Sequence, residues 1–96
     1  MNYYALIYTV MDDYLERRPQ YRPHHLQLAQ QAHARGELLL GGALGDAPTR
    51  ALLVFRADNA FVAETFAQND PYVQNGLVQS WEVQPWIVVV GNEPQG

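Results

Sequence analysis

The order in which two hydrophobic periods alternate along this chain constrains its fold more than any other feature. Residues 3–10 are rich in Tyr, Ile, Thr and Val, types that suit a pleated surface, and read as a first strand. Residues 11–23 are charged and punctuated by Pro19 and Pro23, which predicts a long loop with one helical turn around residues 13–17. Pro23 suits the first turn of a helix, where its missing N–H is not needed. Leu26, Ala29, Ala32 and His33 then recur at helical spacing until Gly36, so a helix is expected over about residues 23–35. Residues 37–44 form the next apolar run, interrupted by Gly41-Gly42. A glycine pair inside a strand marks a bulge or bend, or a place where a ligand or another backbone comes close.

Residues 45–49 read as a turn and residues 50–57 as a strand that forms a hairpin with its predecessor. Asp58 or Asn59 is placed to cap a second helix with Phe61, Val62, Thr65 and Phe66 on its apolar side. That helix should stop near Asn69, because Pro71 disfavours helical geometry at Asp70. A short helical turn over residues 73–76 and a final strand or strand pair over residues 77–90, bent or broken at Pro85, complete the pattern. Residues 91–96 are expected to be a flexible tail.

Strand, helix, strand, strand, helix, strand is the split βαβ order of an α+β, ferredoxin-like βαββαβ sandwich: one domain over residues 1–90, with an antiparallel sheet and two helices on one face. The other face needs cover. The aliphatic run Trp86-Ile87-Val88-Val89-Val90 is a candidate interface or sheet-centre strand, and pairing of two sheets in a homodimer is expected from burial.

Charge and composition exclude several function classes. Ten acidic residues against six arginines and no lysine leave a net charge of −4, which argues against binding a nucleic-acid backbone. Without cysteine there is no disulfide, thiolate nucleophile or cysteine metal site. Residues 1–10 lack a basic segment ahead of a long apolar stretch, and no run approaches the roughly 18 apolar residues of a membrane span, so no membrane association and a cytoplasmic location are expected. His25 and His33 stand about 12 Å apart along a helix axis at about 1.5 Å per residue, too far to share a metal, and no metal site is expected. There is no phosphate-binding glycine loop, nucleophile elbow or dinucleotide fingerprint, so cofactor-free chemistry is the simplest enzymatic reading.

Two polar motifs stand out from this background: Arg22-Pro23-His24-His25-Leu26 and Asn69-Asp70-Pro71-Tyr72-Val73. If the fold joins His25 to Asp70, the carboxylate fixes the imidazole tautomer and raises its basicity, as general acid/base chemistry requires. Each motif also has a plainer reading. An aspartate before proline organises a turn through backbone hydrogen bonds, and the cluster of Arg17, Arg18 and Arg22 is either a solvated face or an anchor in which Arg22 pairs with an anionic substrate.

The chain resembles the YCII-related (YciI-like) proteins of the dimeric α+β barrel superfamily. The resemblance is carried by the early Tyr/Ile-rich strand, by Arg22-Pro23-His24-His25-Leu26, and by His33-Ala34-Arg35-Gly36-Glu37-Leu38. It continues through Leu40-Gly41-Gly42, Asn69-Asp70-Pro71-Tyr72 and Trp81-Glu82-Val83-Gln84-Pro85-Trp86. It implies a homodimer with a small-molecule cleft between helices and sheet, and an active site containing a histidine of the first motif and the aspartate of the second. On this chain these are His25, with His24 as its possible substitute, and Asp70. It implies no substrate, although one related enzyme type removes chloride from a hydroxylated chloroaromatic compound, and others in the superfamily act on lactones or quinone-like molecules. The expected function is a cofactor-independent acid/base enzyme, acting by elimination or isomerisation on a small cyclic oxygenated compound. His25 and Asp70 would be catalytic, with Arg22, Tyr72, Tyr8, Gly42 and Trp81 binding the substrate. The rivals are a module that binds a small molecule without converting it, and a purely structural dimerisation unit.

Overall fold

The computed structural model describes residues 1–91 of the chain. Four strands, β1 (Asn2–Val10), β2 (Leu38–Leu44), β3 (Arg50–Ala57) and β4 (Val78–Trp86), form one sheet in the order β2-β3-β1-β4. Every neighbouring pair is antiparallel. Helices α1 (Tyr14–Ala34) and α2 (Phe61–Asn69) and the single-turn α3 (Pro71–Gln74) complete the βαββαβ order. This is the ferredoxin-like α+β fold.

Strand alternation decides which side chains meet the helices. Tyr4, Leu6, Tyr8 and Val10 of β1 stand beside Leu53 and Phe55 of β3 and pack with Tyr14, Ala32, Ala63 and Phe66 from the helices in one core. The intervening residues put Ala5 and Ile7 opposite Val54 and Leu52 on the other face of the sheet, where Leu40 is 66% exposed.

The stretch over residues 11–23 expected to be a long loop with one helical turn is helical from Tyr14 onward: α1 begins there and carries both Pro19 and Pro23 in its interior, and only residues 11–13 connect it to β1. A proline inside a helix removes a hydrogen bond and crowds the carbonyl four residues earlier, at a cost of about 3 kcal/mol. Packing outweighs that here. Tyr14, Arg18, Tyr21, His25, Leu28 and Ala32 recur at intervals of four and three and are all at least partly buried, whereas both prolines are exposed. The end of α1 matches expectation. Gly36 takes φ +79° and donates to the His33 carbonyl while Glu37 donates to that of Ala32, the paired bonds of a Schellman cap.

The Asn59 side chain accepts the Phe61 N–H at the start of α2. The glycine pair accompanies a register shift between Leu38 and Leu40. Pro85 does not break β4, because β4 is an edge strand and a missing N–H there leaves no partner unsatisfied. That edge position overturns the sheet-centre reading of the Trp86–Val90 run: the strand ends at Trp86, and Ile87, Val89 and Val90 lie beyond it, exposed. Beyond Gly91 the expected flexible tail lies outside the described residues. Among the described residues, no helix is long and apolar enough to cross a membrane.

Candidate functional site

The site is organised around one aspartate. Asp70 takes extended backbone geometry (φ −72°, ψ 122°) between α2 and α3, as a residue before proline should, and it is 0% exposed. Its Oδ1 accepts the Tyr72 N–H at 3.0 Å, so the plain turn-forming role is real: Asp70 is the N-cap of α3. Two further elements converge on the same carboxylate. The Tyr8 hydroxyl, from the middle of β1, donates to Oδ2 at 2.7 Å, and His25 Nδ1, from the middle of α1, lies 2.9 Å from Oδ1.

Because the carboxylate accepts, Nδ1 carries a proton, and in the neutral ring Nε2 is left with the lone pair. The imidazole is also held in plane. Its ring stacks on that of Tyr72 at 3.9 Å between centroids and 9° between planes, and Tyr72 in turn meets Tyr14 edge-on at 5.7 Å. Burial, reinforced by the Asp70 charge and hydrogen bond, drives the Tyr8 phenol far above its ordinary value of 10.0, so it stays a donor. The Tyr72 phenol is pushed up to about 12 by burial and by Tyr14, while Arg22 and Arg18 pull it partly back.

His25 opens onto a cavity of about 190 Å³ between α1, α3 and the sheet, whose polar wall is Tyr8, Tyr14, Arg18, Arg22, His25 and Tyr72. Gly41 and Gly42 of β2 lie on the opposite side. A Cβ at Gly41 would come within 3.2 Å of Leu53 Cγ, whereas one at Gly42 would meet nothing within 4 Å. Gly41 therefore serves sheet packing, and Gly42 leaves space unfilled.

Of the residues expected from sequence, the structure places His25, Tyr8, Tyr72, Arg22 and Gly42 around this cavity, with Asp70 buried beside His25. Trp81 is not among them. It stands opposite Tyr8 in β4, partly buried against the core, and does not line the cavity. His24 is exposed on a separate shallow groove with Gln27, Gln31 and Pro71, so the geometry pairs Asp70 with His25. His33 binds the Leu38 carbonyl through Nδ1 at 2.7 Å and ties the end of α1 to β2. Sequence reasoning missed Tyr14 and Arg18, both in the stretch read as a loop. Their signal was the spacing of Tyr14, Arg18 and Arg22, which places them on one helical face once α1 is extended backwards. Among the described residues, no three His, Asp or Glu side chains converge on a point that would hold a metal.

A ferredoxin-like sheet with a helix-borne histidine held by a buried aspartate defines the class. The sequence model of the YCII-related domain matches residues 1–87, and the chain belongs to that family. Three solved structures share the fold. The 5-chloro-2-hydroxyhydroquinone dehydrochlorinase TftG of Burkholderia phenoliruptrix AC1100, solved in complex with 2,5-dihydroxybenzoquinone, aligns with TM-score 0.76 at 21% identity, covering 96% of this chain and 98% of its own. Protein Atu4242 of Agrobacterium tumefaciens gives 0.60 at 11% identity, with 98% and 97% covered. A Deinococcus radiodurans protein assigned to antibiotic-biosynthesis monooxygenases gives 0.55 at 15% identity, with 100% of both chains covered. At these identities the likeness establishes the fold. No curated protein sequence matches the chain.

Proposed function

We propose that this protein is a small-molecule acid/base enzyme in which His25 and Asp70 move a proton on a cyclic oxygenated compound. The observation that carries the reading is the 2.9 Å pair between His25 Nδ1 and the fully buried Asp70 carboxylate, with the histidine lining a cavity. In this mechanism Nε2 takes a proton from an O–H, or from a C–H beside a conjugated carbonyl. In an elimination the electron pair left behind forms the new double bond as chloride departs with its own pair, and the imidazolium then loses its proton to solvent; in an isomerisation nothing departs, the pair shifts through the conjugated system, and the imidazolium returns the proton to another carbon. Asp70 stabilises the imidazolium without reaching the substrate, and Arg22 pairs with an anionic oxygen of the ligand. Histidine, aspartate, arginine and tyrosine suffice for these steps, and none of them calls for a cofactor.

The dehydrochlorinase with the shared fold suggests the first substrate to try. Chloride release from 5-chloro-2-hydroxyhydroquinone should be measurable with the wild type and fall by about 100-fold or more in His25→Ala, with the circular dichroism spectrum unchanged. Ligand binding by the wild type, with no proton exchange or chloride release from any quinol or lactone tested, would reduce the protein to a binding module.

The same proposal includes a homodimer formed through the uncovered sheet face, where Ile7 and Leu52 lie opposite each other. Ile7→Glu should convert a dimer to a monomer in sedimentation. A wild type that already sediments as a monomer defeats that part.

A further inference from the structure

We propose that Arg18, Arg22 and the Tyr72 hydroxyl form a single anion-binding subsite that makes the cavity selective for a one-ring ligand bearing a negatively charged oxygen. The inference rests on the acid/base reading for the ligand's place beside His25, and it adds to that reading a substrate class and the residues that choose it.

The two arginines are distinguished from the other arginines of α1 and its C-terminal end by what they lack. Arg17 binds the Asn75 and Gly76 carbonyls and approaches Asp13, and Arg35 is paired with Glu37 at 2.8 Å. Among the described residues neither Arg18 nor Arg22 has a carboxylate partner, and both line the cavity. Four residues apart on α1, they project from one helical face. Arg18 is already oriented, its guanidinium lying 5.6 Å from the centre of the Tyr14 ring, within range of a cation–π contact. Among the described residues no Asp or Glu lines the cavity to neutralise the pair; Asp70 is fully buried beside His25, and its oxygens accept from Tyr8, His25 and the Tyr72 amide.

Tyr72 supplies an independent observation. It lines the same cavity, is 2% exposed, and its buried hydroxyl has no hydrogen-bond partner among the described residues. A buried hydroxyl left unsatisfied is unfavourable, and a ligand oxygen would satisfy it. The phenol keeps its proton to about pH 12, so it remains a donor across the neutral range, and both arginines are close enough to influence its ionisation.

Size restricts the ligand further. A cavity of about 190 Å³ is slightly larger than the roughly 150 Å³ cavity that accepts benzene. It holds one six-membered ring with small substituents. The planar guanidinium forks suit a carboxylate or a pair of adjacent oxygens on such a ring.

Calorimetric titration with benzoate and benzamide, rings of nearly equal size that differ in charge, tests the subsite directly. Benzoate should bind about tenfold or more tightly than benzamide. Arg18→Gln should weaken benzoate about tenfold while leaving benzamide unchanged, and Arg18→Lys should recover only part of the loss. Tyr72→Phe should weaken benzoate several-fold without lowering Tm, whereas a hydroxyl with a structural role would lower it. Equal affinities for the two ligands, equal losses for both in Arg18→Gln, or no benzoate binding at millimolar concentration overturns the proposal. His25→Gln should keep the benzoate preference. If the wild type shows that preference but gives no proton exchange or chloride release with any quinol or lactone tested, the acid/base reading falls and the subsite stands. Chloride release without charge preference overturns the subsite alone.

Discussion

Two cavities press against α1, and they differ in chemistry more than in size. The one at its N-terminal half, about 190 Å³, gathers two arginines, three tyrosines and a histidine fixed by a buried carboxylate. The one at its C-terminal half is larger, about 260 Å³, and is walled mainly by Leu28, Phe55, Phe61, Val62 and Phe66. Its charged residues, Arg35 and Glu37, are bonded to each other, and the unpaired buried group there is the neutral Thr65 hydroxyl. The comparison teaches that volume alone does not tell the two cavities apart. What sets the first cavity apart is a lining with two arginines that, among the described residues, have no carboxylate partner and a tyrosine whose buried hydroxyl is unpaired, a condition that folding alone does not favour.

The sharpest way to break the contrast is to remove its centre. Asp70→Ala strands the Tyr8 hydroxyl, the Tyr72 amide and the His25 ring proton together, and should cost about 3–5 kcal/mol in urea denaturation. Asp70→Asn keeps one acceptor oxygen and should cost less. A loss below about 1 kcal/mol for Asp70→Ala would mean that the carboxylate does not hold the site together.

Alkaline titration should expose the same asymmetry. In the unfolded chain Tyr72 ionises near its ordinary 10.0, but in the folded chain only near 12, so above pH 10 the unfolded state binds fewer protons. Stability present below pH 10 is therefore lost as pH climbs through 12, and Tyr8 acts in the same direction. Tyr72→Phe should flatten that decline. An unchanged slope would remove Tyr72 as its source.

Smaller effects belong to the other end of α1. His33→Ala removes the bond to the Leu38 carbonyl and should cost about 1 kcal/mol in thermal or urea denaturation, with ligand binding in the first cavity unaffected. Phe61→Ala should be close to neutral, within about 0.5 kcal/mol, since that ring is 68% exposed. Substantial loss of benzoate binding in either variant would show that the two cavities are coupled. A final test reads the tautomer: ¹⁵N NMR of the neutral His25 ring should show the proton on Nδ1, and a proton on Nε2 would contradict the proposed base.

The βαββαβ order was legible because four strand-forming runs and two helix-forming segments are separated by turn residues, and a helix and a strand differ in period before any contact is made. Local chemistry likewise reached Gly36 at the end of α1 and the helix stop before Pro71, since both depend on backbone preferences of one or two residues. It failed at Tyr14–Pro23, where both prolines oppose a helix and polar Arg18 occupies the inward stripe; an apolar pattern cannot reveal a helix face whose inward positions are partly polar. It also placed Trp81 in the ligand site, because alternation says which face of the sheet a residue shares but not how far along it a cavity extends.

What the sequence determined by itself is the order of elements and the residue types able to do acid/base chemistry, because both follow from local preference and side-chain identity. The tertiary structure alone decided that His25 and not His24 meets Asp70, since one step along a helix turns a side chain by about 100° and only packing sets that phase. It alone brought Tyr8, 62 residues away in the chain, to the second carboxylate oxygen, and left Arg18, Arg22 and Tyr72 lining the same cavity. Contacts between distant segments depend on how helices settle on a sheet, and no stretch of sequence short enough to read locally contains that information.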